Sequence, residues 1–64
     1  MIHPTIYQIF TYQGARVHGL TSMHIPRVGD WVKLDPNSHL FYTVASVTWF
    51  YPERAKPYVE IFLS

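Results

Sequence analysis

The chain has no cysteine. That excludes disulfides as a brace for a small domain and removes the thiolates of a structural zinc site. It also fits a reducing compartment, so a cytoplasmic location is the expectation. Charge is scarce: 14% of residues are Asp, Glu, Lys or Arg, and five basic groups against four acidic ones leave a net +1. No strong field of either sign can form from so few charges, which makes tight phosphate-backbone binding an unfavourable expectation. No apolar run approaches the roughly 18 residues of a membrane span, so no membrane partner is expected. Met1-Ile2-His3-Pro4 does not begin a basic-then-apolar leader, and no secretion signal is expected. Helical periodicity is missing as well. Nowhere do apolar residues keep the i, i+3, i+4, i+7 spacing over a full window without Gly or Pro intervening.

What is present is aromatic. Four Phe, five Tyr and two Trp sit in 64 residues, and each ring can bury about 150–250 Å². A chain this short forms one domain, residues 1–64, and covers only about 60% of its unfolded surface on folding. Dense aromatic packing, or association with another chain, is what remains to stabilise it.

The longest uninterrupted signal is Leu40–Tyr51, twelve residues without Gly, Pro or formal charge. Its β-branched and aromatic residues suit a pleated surface and predict a long central strand. Tyr42 and Val44 share one parity; Val47, Trp49 and Tyr51 share the other. Both sets face one core only if parity switches between them, so a bulge is expected at Ala45-Ser46. Thr5–Tyr12 reads as a first strand and Ala15–Leu20 as its hairpin partner, joined by a Gln13-Gly14 turn. Gly19 is a weak point in that second strand. Leu20–Arg27, broken by Pro26, reads as an edge loop. Gly29-Asp30 turns the chain into a short strand with Val28, Val32 and Leu34 inward and Trp31 outward. Asp35-Pro36-Asn37-Ser38 has turn chemistry. Pro52–Pro57 is a polar connection. Tyr58–Leu63 alternates cleanly, with Val59, Ile61 and Leu63 inward and Tyr58, Glu60 and Phe62 outward. The last strand is also expected to offer a free edge. Short strands punctuated by turns at this spacing predict an all-β, five-stranded, strongly bent barrel.

The spacing Pro26-x-Val28-Gly29-Asp30-x-Val32-x-Leu34, then Tyr42-x-Val44-x-x-Val47-x-Trp49, then Val59-x-Ile61-x-Leu63 resembles that of small Src-homology-3-like barrels. The likeness runs from Pro26 to the C-terminus and extends to short proteins carried by bacteriophages and other mobile elements. It implies a fold, and a host cytoplasm as the setting. It does not imply recognition of proline-rich peptides: there is no acidic cluster, and residues 13–26 do not match the loop that such recognition uses.

Chemistry-bearing patterns are sparse. Ser22, Ser38 and Ser46 have no nucleophile-elbow context. Asp30 and Asp35 lie at the two ends of one short strand and read as turn residues, not as a carboxylate pair. His18 and His24, with His3 or His39, lack the tight spacing of metal ligands. No enzyme activity, metal or other cofactor is therefore expected.

The outward aromatics are more informative. Trp31, Tyr58 and Phe62 are candidate anchors for a larger protein partner or a second copy of the chain, with Arg54 and Lys56 at the rim. The plain alternative is that these rings cover a second small core under the 20–27 loop. A weaker functional alternative is nucleic acid, with bases stacking on rings such as Tyr51 between Lys33, Arg54 and Lys56. A self-assembling structural subunit is the third. The leading expectation is a non-enzymatic binding module that docks on a larger host complex and modulates or inhibits it.

Overall fold

The computed structural model describes residues 5–64; Met1–Pro4, including His3, lie outside the described residues. Five strands form in chain order: β1 (Ile6–Tyr12), β2 (Ala15–Ser22), β3 (Trp31–Val32), β4 (Tyr42–Phe50) and β5 (Tyr58–Leu63). They make a single sheet in the order β2-β1-β5-β4-β3. The sheet curls 237° round an axis, a half-barrel with no helix among the described residues. This small, five-stranded, curled half-barrel is consistent with a Src-homology-3-like fold at a coarse level.

Local chemistry explains each corner. Gln13 (φ 52°) and Gly14 (φ 80°) both take positive φ, the backbone of the two-residue turn whose twist matches a hairpin. Tyr12 and Ala15 are accordingly register partners. Gly29 (φ 93°) holds the third position of a turn closed by the Asp30 amide donating to the Arg27 carbonyl at 3.0 Å. The Asp30 carboxylate accepts from the Arg27 amide in return. Asp35 behaves alike: its Oδ1 accepts from the Asn37 amide and its carbonyl from the Ser38 amide. Both aspartates are thus committed to turns, as their neighbours in sequence suggested.

The expected kink is in place. Val44 opposes Leu63 and Ser46 opposes Phe62, so Ala45 is the extra residue of a bulge. At that point β4 changes partners. The Gly29 amide donates to the Val44 carbonyl and the Val44 amide to the Asp30 carbonyl, both at 2.9 Å. Thr43 and Ser64 exchange backbone bonds on the other side. The bend brings Val44 and Val47 onto the same interior from opposite parities.

The core is Phe10, Val44, Val59, Ile61 and Leu63, with Ile6, Tyr12, Leu20, Ile25, Val32, Leu34, Tyr42 and Val47 packed around it. β5 supplies three of the five buried residues because it is covered on both sides, by β1 in parallel and β4 antiparallel. The expected free edge on the last strand is therefore wrong, and so is the central placement of Leu40–Tyr51. β5 holds the middle, and β2 and β3 are the edges. Other expectations are also corrected. Leu20–Ser22 belong to β2 and not to a loop. Leu34 packs on the core from beyond β3. Val28 is 66% exposed, because it sits at a turn corner. Trp49 and Tyr51 share the parity of the core but lie at its open rim. β3 reaches only Tyr42 and Thr43, so no strand covers the second half of β4 from that side.

Two polar residues are buried with the core. Gln8 is on the inward parity, and its Nε2 donates to the His24 carbonyl at 2.7 Å. This bond ties the 23–30 segment to β1, where the sheet leaves its gap between β2 and β3. Thr11 is buried with its Oγ1 lacking a hydrogen-bond partner among the described residues.

Candidate functional site

Alternation along β5 puts Tyr58, Glu60 and Phe62 on the outer face, as expected. The sheet then distributes the outer aromatics between two ends. At one end, Trp31 of β3 is opposite Thr43 of β4, whose Oγ1 lies 2.8 Å from Ser64 Oγ at the end of β5. Trp31 packs its ring against Phe41 (centroids 5.9 Å apart, planes at 57°). Lys33 Nζ stands 5.2 Å over the Phe41 ring, a cation–π contact. Trp31 is 74% exposed and Phe41 58%. Leu40 beside them is exposed too. Phe62 belongs to this end, two residues before Ser64 on the same face, and is 37% exposed between Thr11 and Ser46.

The other end of the face carries Tyr7, Tyr58 and Phe50. Tyr7 and Tyr58 are register partners, as are Tyr58 and Phe50, so the three span three adjacent strands. Tyr58 stacks on Phe50 (4.9 Å, 10°). Tyr7 pairs in the opposite direction, with the Arg16 guanidinium 5.6 Å from its ring centroid and hydrogen-bonded to its hydroxyl. That contact passes over Gly19. A Cβ there would lie 2.7 Å from the Tyr7 hydroxyl, so the residue that weakened the β2 pattern is the one that leaves room for the pair. A surface depression of about 320 Å³ lies beside the two tyrosines, lined by Thr5, Tyr7, Thr21, Lys56, Pro57 and Tyr58.

The residues singled out from sequence are thus not one patch. Trp31 and Phe62 share one end with Lys33. Tyr58, Lys56 and Arg54 share the other, with Tyr51 stacked on Trp49 (6.2 Å, 15°) just past β4. Tyr42 and Phe50 are separated by about 25 Å of strand at ~3.3 Å per residue. Lys33 is therefore remote from Arg54 and Lys56, and the basic set Lys33, Arg54, Lys56 does not converge on Tyr51. No small core covers Trp31. Phe41 and Tyr7 were missed, though alternation places both outward, one residue from the inward Tyr42 and Gln8. Arg16 was harder to find, because the β1–β2 register shifts between Phe10 and Thr11 and brings Thr11 opposite Arg16.

Among the described residues the histidines form no constellation. His18 packs its ring near Phe10 (5.8 Å), His24 contributes its carbonyl to Gln8, and no three His, Asp or Glu side chains gather among the described residues. No helix of the described residues is long and apolar enough to cross a membrane. Comparison with known proteins finds no family model, no curated protein and no solved structure that matches the chain.

Proposed function

We propose that the protein is a non-enzymatic binding module that docks on a larger protein through the Trp31 end of its outer face. The observation that carries this is Trp31 itself: 74% exposed, yet packed against Phe41, whose own ring lies under Lys33. Tryptophan is the side chain most enriched among residues that dominate protein interfaces, and a pre-positioned ring loses little entropy on binding. Phe41, Leu40 and Phe62 extend the apolar surface, and Lys33 supplies a charged margin. Tyr58, Arg54 and Lys56 are not neighbours of that anchor and drop out of the docking set. The likeness of the sequence pattern to phage-borne small barrels supports a role as a modulator or inhibitor that covers a host complex. Self-association is a second reading, favoured by the free edge of eight-residue β2, since unpaired strand edges recruit further strands.

The test is affinity capture from host lysate with the wild-type chain, Trp31→Ala, Phe41→Ala and Glu53→Ala in parallel. A protein retained by wild type and Glu53→Ala but lost from both aromatic variants supports docking at this end. Equal capture by all four, with every variant folded, refutes it. Sedimentation of the wild type shows directly whether the captured partner is another copy of the chain.

A further inference from the structure

We infer that the depression lined by Tyr7 and Tyr58 is a nucleotide site, separate from the docking end. The strand order β2-β1-β5-β4 sets the arrangement. Across the outer face, Tyr7 and Tyr58 stand side by side on β1 and β5 and both line the depression. Each is held by a contact of its own, Tyr7 by Arg16 and Tyr58 by Phe50. A flat ring entering the depression meets two aromatic side chains already in place. Stacking on aromatics is the sequence-tolerant mode by which nucleobases are held.

The polar groups around the site select the rest of the ligand. Lys56 lines the same depression and is the cation placed to meet a phosphate. Thr5 and Thr21 line it as well and offer hydroxyls to a base edge or a sugar. The acidic residue nearest along the strand, Glu60, is two positions beyond Tyr58, opposite Ile9 and Thr48. It leaves the site itself without a negative charge. A volume of about 320 Å³ is at the small end of ligand pockets, enough for one nucleotide. The chemistry recognised is one base with one phosphate, in a single-stranded oligonucleotide or as a free mononucleotide.

This assignment differs from a general nucleic-acid face. One site and one lysine predict a shallow dependence on salt. With a single phosphate contact on a single strand, affinity falls only about fivefold for a tenfold rise in salt.

The experiment is titration of ¹⁵N-labelled protein with an eight-residue oligothymidylate and, separately, with thymidine monophosphate. Amide shifts are expected to cluster around Tyr7, Thr21, Lys56 and Tyr58, leaving residues 31–41 unmoved. Lys56→Ala, at an exposed turn position, should weaken binding about fivefold. Tyr7→Leu should weaken it about tenfold or more, from the loss of one stacking ring. Lys33→Ala should leave it unchanged. Equal per-site affinity for both ligands identifies the free nucleotide as sufficient; preference for the oligomer identifies the single strand. The inference is overturned by the absence of shifts at millimolar ligand, by shifts centred on Trp31 and Phe41, or by binding indifferent to both Lys56→Ala and Tyr7→Leu. It is equally overturned if an acidic, aromatic peptide moves these amides and neither nucleotide does.

Discussion

β5 and β3 belong to the same sheet and both alternate aliphatic residues with aromatic or charged ones, yet they end up in opposite states. β5, Tyr58–Leu63, alternates Val, Ile and Leu against Tyr, Glu and Phe, and its inward set is among the most buried in the protein. β3 and its flanks, Trp31 to Leu34, alternate Trp and Lys against Val and Leu, but the strand is two residues long and neither inward residue is fully buried. The difference is what stands alongside. β5 has a strand on each side and a full register with both. β3 touches only the first two residues of β4 and is the last element before the gap. Alternation therefore decides which way a side chain points, and the number of neighbouring strands decides whether it is covered. The centre is the covered part of the sheet, and the margin is where rings remain exposed.

The sharpest way to break this contrast is in the centre. Ile61 has no exposed surface and lies between Phe10 and Val47 in register. Ile61→Ala should cost about 2–5 kcal/mol, through lost burial plus the cavity it leaves. In a domain of this size that is a large share of all the stability it has. Urea denaturation measures it; a loss under 1 kcal/mol would mean the half-barrel is not organised on β5.

Next comes the tie between centre and margin. Gln8→Ala removes the bond to the His24 carbonyl and leaves that acceptor without its protein partner, at an expected cost of about 1–3 kcal/mol. Amide exchange should accelerate first between residues 23 and 30, ahead of β5. Uniform acceleration across the sheet would show that the segment is held by Ile25 packing and not by Gln8.

A smaller change of opposite sign is expected at Thr11. Its hydroxyl is buried without a partner among the described residues, so Thr11→Val, nearly the same shape, should stabilise the protein by about 1 kcal/mol. A rise in melting temperature checks this. A fall would reveal that the hydroxyl is hydrogen-bonded in solution.

Much of this was legible in the residues. Val44 and Val47, on opposite parities of one uncharged run, required a bulge, and Ala45 is where it falls. The Gln13-Gly14 and Asp35–Ser38 turns are determined by local backbone chemistry. What was not legible depended on strand order. Nothing in Tyr58–Leu63 says that it lies between β1 and β4, because parallel pairing of the first and last strands is a long-range choice. Without that order, Trp49 and Tyr51 seemed interior, and the basic residues 33, 54 and 56 seemed able to meet. The depression lined by Tyr7 and Tyr58 was hidden for the same reason, since the two residues are 51 positions apart in the chain.

The smallest effect on stability is expected where the surface is most exposed. Trp31→Ala removes the largest side chain in the chain from a position that is 74% exposed, on a strand that makes only two register pairs. Its contacts with Phe41 are made at the surface, so the stability change should fall within about 0.5 kcal/mol of zero. Set beside Ile61→Ala, this is a difference of several-fold for the loss of a bulkier side chain. Size alone would predict the reverse order, and coverage by neighbouring strands predicts this one. If denaturation shows Trp31→Ala costing 2 kcal/mol or more, Trp31 is packed under the 23–30 segment in solution. Its ring would then be part of the scaffold, and the docking surface would have lost its anchor.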